Sequence, residues 1–282
     1  MKLVRFSRNG KSSLGVLAPS ALSVVDLSKV APAGDSMSAA LAAGISFIAA
    51  AELLMQAGDQ IPLAEVDLLQ PVNDPQKILC IGQNYRDHCE EQNQPLPTSP
   101  ILFAKFSNTL TAPESPIQLP GISSQIDYEA EMAVVIGKVC KNVPAEEALT
   151  VVAGCMCAND VTARDIQKND KQWVRGKSID SFFPSGPWLV TLDEVGDMHA
   201  LDISCRVNGV VMQNSNTRNL VFNVGQIIAH LSQTITLQPG DIISTGTPGG
   251  VGVYRTPPVF LKSGDVVEVM IEKLGVLRNN VK

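Results

Sequence analysis

The run Ile126–Gly137, IDYEAEMAVVIG, limits what this chain can fold into more than any other stretch. Read as a strand whose side chains alternate between two faces, it puts Ile126, Tyr128, Ala130, Met132, Val134 and Ile136 on one side. Asp127, Glu129, Glu131, Ala133 and Val135 fall on the other. The acidic face continues into Ala133 and Val135, so it does not read as a plain solvent face. Like charges at every second residue repel, and the cost grows where water is excluded. A bound cation is the simplest compensation. Oxygen-only donors point to a hard ion such as Mg2+, Mn2+ or Ca2+ rather than to zinc, which prefers nitrogen and sulfur. A wet edge strand carrying acidic residues fits the same letters, and the pattern alone leaves both readings open.

A chain of 282 residues can bury a large core, either as one big domain or as a small unit followed by a larger one. Its net charge of -6 and the absence of any Lys/Arg run leave no footprint for a nucleic-acid backbone. The Ala-rich uncharged stretch Ser36–Ala51 is too short for a bilayer and reads as a buried amphipathic helix, so no membrane association is expected. MKLVRFSRNG lacks the apolar core of a signal peptide. The expected location is therefore cytoplasmic, or the mitochondrial matrix if a transit peptide has been removed. The six cysteines form no CxxC and mostly sit in apolar runs, as buried thiols do.

Residues 1–70 read as a small N-terminal α+β domain, with strands near Leu3–Phe6, Gly15–Leu17 and Val24–Leu27 and an Ala-rich helix ending near Ala57. The segment Leu69–Lys77, with two prolines and an Asn-Asp pair, fits a linker. From Ile78 onward, short β-rich runs alternate with Gly and Pro. Asn208-Gly209 predicts a type I′ hairpin, and helical patterns are confined mainly to Ala145–Val151 and Val224–Leu231. The expected class is α+β and β-dominated, with residues 71–282 forming a rolled or sandwiched sheet with a couple of helices.

Four constellations have residues suited to chemistry. VVAGCMCAND is strand-like and ends in Asp160, which would join Glu129 and Glu131 around one divalent ion; Asn159-Asp160 as a helix cap is the competing reading. In GQNYRDHCEE, His88 and Glu91 share a face of a helical turn, so the carboxylate can orient the imidazole for proton abstraction. KQWVRGKSID brings Lys171, Arg175 and Lys177, one of which could hold a carboxylate or enolate oxygen, against the plainer reading of a basic surface loop. STGTPGGVG lacks the P-loop lysine and a following helix, which excludes nucleotide binding, but its backbone N–H groups and Thr247 could cap a small carboxylate.

In this order, Ile78–Glu91, D-Y-E-x-E, NDVTARDIQ, RGKSIDSFFPSGPW, NGVVMQNSNT, PGDIISTGTPGGVG and LKSGDVVEVMIEKLG resemble the fumarylacetoacetate hydrolase superfamily over roughly residues 70–282. The N-terminal unit is similar to the small domain of its two-domain members. NYRDHCEEQNQPLP, KQWVRGKSID and PPVFLKSGD look most like its domain-containing proteins of the second type. The resemblance implies a mixed β-roll, usually a homodimer, with Mg2+ or Mn2+ on Glu129, Glu131 and Asp160. It implies a His88–Glu91 catalytic dyad on a lid that orders with substrate, and Arg164, Gln167, Lys177 and Thr247 on the 2-oxo-acid end. Asp127 matches a position not counted among the ligands, which leaves two strand carboxylates at the ion. Hydrolytic carbon–carbon cleavage of an acylpyruvate is the first expectation; keto–enol tautomerisation or decarboxylation of oxaloacetate at the same site is the alternative. Removing Glu129 or Asp160 is expected to abolish activity with little loss of fold, since apart from the ion each has only the others' repulsion to relieve.

Overall fold

The computed structural model describes residues 1–282. The N-terminal segment contains β1 (Lys2–Arg8), β2 (Lys11–Leu17), β3 (Ser23–Asp26), α1 (Met37–Ala42), α2 (Ile45–Ala57), β4 (Gln60–Pro62) and β5 (Asp67–Leu69). Next come β6 (Ile78–Gly82), α3 (Arg86–Glu91), β7 (Ile101–Lys105), β8 (Leu110–Thr111), β9 (Ile126–Asp127), β10 (Ala130–Ile136) and β11 (Val152–Asn159). The middle of the chain holds β12 (Thr162–Ala163), α4 (Arg164–Asp170), α5 (Val174–Lys177), β13 (Phe183–Thr191) and α6 (Leu192–Val195). β14 (Asp202–Val207), β15 (Val210–Asn216), α7 (Val224–Thr234), β16 (Ile242–Ser244), β17 (Val266–Ile271) and β18 (Gly275–Asn280) complete it. The sheet-rich α+β class expected above is what these elements form.

One large mixed sheet runs in the order β4-β3-β2-β1-β13-β11-β10-β16-β6-β7, and a second sheet runs β15-β14-β17-β18. Within the large sheet, β16 lies parallel to β6 and β10 pairs antiparallel with both β11 and β16. Each face of β10 meets a different core. Met132, Val134 and Ile136 join the cluster shared with the second sheet and α7, whereas Ala133 and Val135 pack with Met37, Leu41 and Phe47 of the N-terminal helices. The alternation read in IDYEAEMAVVIG is thus real, and both faces are covered. Through the β1–β13 pairing the first seventy residues extend this same sheet.

Local chemistry modifies several expected elements. The run 126–137 is two strands rather than one, because side chains take the ladder donors at the junction. Tyr128 N–H donates to Asp127 Oδ1 and Glu129 N–H to Asn159 Oδ1, both at 2.9 Å. The Ala-rich helix is split at Gly44, whose φ of 61° lies where a helix cannot continue. Ala145–Val151 yields only a 3-10 turn at Ala148–Val151. The other helical pattern forms α7, held at its start by a reciprocal Asn223–Gln226 capping box. Asn208 and Gly209 both have positive φ and pair Val207 with Val210, as a type I′ turn requires.

The centre of the large sheet leaves no room at Gly154, where an added Cβ would lie 2.2 Å from Val190 O on the neighbouring strand. Gly154→Ala is expected to cost about 1–3 kcal/mol, read as a lower urea midpoint at unchanged slope. Gly121→Ala, with nothing within 4 Å of its added carbon, should leave the midpoint in place.

Candidate active site

Glu129 and Glu131 stand at the start of β10, an interior strand of the large sheet, and pairing register sets their neighbours. Ala130 sits opposite Asn159, and Asp160 N–H extends the ladder to Glu129 O at 2.9 Å. Glu129, Glu131 and Asp160 are all buried and can each offer one oxygen, these atoms lying within 4.8 Å of one another. Three points that close share a centre roughly 3 Å or less from each, so small rotamer adjustments reach the about 2.0–2.6 Å of Mg2+ or Ca2+ coordination. This acidic triad can hold a divalent metal. The competing reading of Asp160 as a helix cap fails, because the next helix starts at Arg164 with Ala163 before it.

Cations surround two of the three acids. Lys177 Nζ donates to Glu129 at 2.7 Å, to Asp160 at 2.6 Å and to Thr162 Oγ1 at 2.9 Å. Lys105 Nζ donates to the other oxygen of Asp160 at 2.6 Å. Arg164 spans Asp127 at 2.9 Å and Glu129 at 2.5 Å. Burial alone would raise the Glu129 carboxyl, but Arg164 and Lys177 outweigh it and hold the group below the ordinary carboxylate range. For Lys177, burial is likewise overcome by Asp160 and Glu129, and the ammonium is held more firmly than in water.

Glu131 differs from its two neighbours. Its Oε2 accepts from Ser244 Oγ at 2.5 Å and from Gly246 N–H at 2.9 Å, with no cation pairing it. Burial first, then Asp160 and Glu129, push its carboxyl well above the usual range. A buried acid in that position fits a hard cation as its missing partner. The pairs also overturn the expectation that Glu129 and Asp160 relieve only each other's repulsion, since each neutralises buried lysine or arginine.

In the same pocket, His88 Nδ1 lies 3.0 Å from Glu91 Oε2, and Glu91 Oε1 accepts from Gly250 N–H at 2.9 Å. That arrangement leaves Nε2 as the ring atom for other contacts. Tyr254 meets the imidazole edge-on, with 6.1 Å between ring centres. The glycine-rich loop does not use its N–H groups as expected. Gly246 serves Glu131, Gly249 serves Asp87, Gly250 serves Glu91, and Gly252 and Val253 both serve Asp127. Five of its N–H groups thus serve the protein's own carboxylates. The Thr247 hydroxyl is occupied too, donating to Ala130 O at 2.9 Å and accepting from Gln213 at 2.8 Å.

Of the nine residues expected at the site, eight line one pocket of about 220 Å3: His88, Glu129, Glu131, Asp160, Arg164, Gln167, Lys177 and Thr247. Glu91 stands behind His88. Of the three loop cations, Lys177 alone enters; Arg175 pairs with Asp170 on the surface and Lys171 is exposed. Sequence reasoning missed Lys105, although a lone charge inside the apolar run ILFAKF was its signal. It also missed the aromatic wall. Trp173 meets Phe103 edge-on at 5.4 Å, and a Cβ on Gly82 would fall 2.4 Å from the indole. His199 accepts the Val224 N–H at 3.2 Å at the start of α7 and lies outside the pocket.

A β-dominated fold that gathers buried acids, cations and a His–Glu pair around one pocket defines a member of an enzyme family. Residues 77–282 match the family described as "Fumarylacetoacetate (FAA) hydrolase C-terminal", and the chain belongs to it. Over 223 residues, 78% of this chain and 71% of its relative, it is 54% identical to the oxaloacetate tautomerase FAHD2A, mitochondrial, of Bos taurus. The fumarylacetoacetate hydrolase of Exiguobacterium antarcticum superposes with a TM-score of 0.90 at 36% identity, over 100% of this chain and 99% of that one. The maleylpyruvate hydrolase of Sphingobium sp. SYK-6, solved with manganese(II) and pyruvate, gives 0.85 at 33% identity over 100% and 98%.

Charge pairing separates two substitutions. Asp160→Ala leaves the buried Lys105 ammonium without a carboxylate and Lys177 with Glu129 alone, and should lower stability by about 3–5 kcal/mol, measured by urea unfolding in chelator. Glu131→Gln removes a repelled charge while keeping an acceptor for Ser244 and Gly246. It should unfold no earlier than wild type in chelator, yet show no heat of Mg2+ binding by calorimetry.

Proposed function

We propose that the protein is a divalent-metal-dependent keto–enol tautomerase of oxaloacetate. The observation that carries this reading is the 54% identity to an oxaloacetate tautomerase, joined to a site with an acid triad and a histidine base in one pocket. The relatives favour this reaction over the acylpyruvate hydrolysis placed first from sequence; the hydrolases among the solved structures support hydrolysis only at 33–36% identity.

Glu129, Glu131 and Asp160 would hold the ion, Mg2+ or Mn2+ with Ca2+ as a third candidate, and the manganese of the Sphingobium structure supports this assignment. Bound there, a divalent ion polarises a 2-oxo acid and acidifies the adjoining C–H. His88 takes the C3 proton through Nε2 while Glu91 holds Nδ1 and fixes the tautomer. Lys177 stays protonated; its three donors are on Glu129, Asp160 and Thr162, so it would give up the neutral Thr162 hydroxyl to donate to the 2-oxygen as negative charge gathers on it. Delivery of a proton to that oxygen gives the enol, and the reverse sequence gives the ketone. Three of the five Arg164 N–H groups are committed to Asp127, Glu129 and Gln167, so the remaining two are what it offers a carboxylate.

A homodimer remains part of the proposal, and light scattering should return twice the chain mass. The mitochondrial designation of the bovine relative favours the matrix over the cytoplasm. No helix is long and apolar enough to cross a membrane.

The reaction is tested by following the ultraviolet absorbance of enol-oxaloacetate, with acetylpyruvate assayed in parallel. Wild type with Mg2+ should speed the loss of the enol, EDTA should abolish the effect, and His88→Gln should lower kcat by about 10²–10⁴-fold. Hydrolysis of acetylpyruvate without any effect on the enol would reject the tautomerase reading in favour of the hydrolase.

A further inference from the structure

We propose that Lys168 reads the second carboxylate of the substrate and so sets a preference for dicarboxylic over monocarboxylic 2-oxo acids. The inference rests on the reading above and names a residue that determines specificity within it.

Four buried carboxylates, Asp127, Glu129, Glu131 and Asp160, are interleaved with three cations, Lys105, Arg164 and Lys177. Fully ionised, the cluster carries one net negative charge, and a divalent ion turns this into one positive charge. The carboxylate at the 2-oxo end of a substrate neutralises that. Glu91, behind His88, adds only negative charge. A second carboxylate therefore arrives without a countercharge inside the cluster.

The pocket lining contains three cations, Arg164, Lys177 and Lys168. Arg164 is drawn onto Asp127 and Glu129, and Lys177 onto Glu129 and Asp160. Lys168 is in no ion pair and donates no side-chain hydrogen bond, and it is exposed at the rim. On α4 it stands four residues after Arg164, on the same face one turn along. With their Cβ atoms about 5–6 Å apart, both long side chains can turn toward one small diacid in the pocket they line. Tyr254 and Gln92 also line the pocket, but as neutral donors they cannot replace the missing charge.

The test uses pyruvate and oxaloacetate, which differ only by the distal carboxylate. On Mg2+-loaded protein, calorimetry with fresh ligand should show wild type favouring oxaloacetate. Lys168→Met should remove that preference and leave pyruvate binding unchanged, while Lys168→Arg restores it. In turnover, Lys168→Met should raise KM for oxaloacetate about fivefold to twentyfold, with the loss in KM rather than kcat. Equal weakening of both ligands, or loss of the preference in Tyr254→Phe but not in Lys168→Met, would overturn the proposal. Wild type that binds oxaloacetate preferentially through Lys168 yet leaves its enol untouched would uphold this inference and sink the tautomerase reading. Turnover unaffected by Lys168→Met would do the opposite.

Discussion

Four carboxylates buried within reach of one another are the constraint on which this structure depends. In a low-dielectric interior such a group cannot persist without countercharge. Lys105, Arg164 and Lys177 supply most of it, from β7, the start of α4 and the end of α5. Those pairs recruit distant segments to one place, so neutralising the acids and assembling the pocket are the same event. Glu131 alone receives hydrogen bonds but no cation, and this asymmetry leaves the triad able to hold an ion.

Asp127 shows how a carboxylate can shape a site without lining it. It accepts from Tyr128, Gly252 and Val253 N–H groups and from Arg164 Nε. One fully buried side chain thereby ends β9, anchors the loop that carries Thr247 and Tyr254, and aims the guanidinium at Glu129. The loop in turn ties Glu131 of the triad to Asp87 and Glu91 of α3 through its N–H groups. Both sets of residues thus hang on the same eight-residue backbone segment, 246–253.

Much of this was legible because alternation is a local property. The faces of the 126–137 run, the hairpin at Asn208-Gly209 and the helix at Val224 follow from neighbours in sequence. The three-residue spacing of His88 and Glu91 is local in the same way, and motif order supplied the remaining candidates, Arg164 and Gln167, and the roles of the others. What the sequence could not show depends on partners far along the chain. Lys105 meets Asp160 across 55 positions and Arg164 meets Asp127 across 37, and without those pairs Glu129 and Asp160 looked structurally dispensable. The sheet shared by β1 and β13 was hidden for the same reason, since composition changes near residue 70 whether or not the two segments join. The glycine-rich loop misled in another way: its donors suit anions, but only coordinates reveal that the anions belong to the protein.

The contact between Trp173 and Gly82 has a consequence for reach. Because no side chain at position 82 could coexist with the indole where it lies, the bare backbone there and the bulky ring are fitted to each other. The ring lines the pocket together with Gly82 and Phe103 of the sheet. Trimming that one ring would enlarge the pocket beside Gly82 without replacing any of its carboxylates.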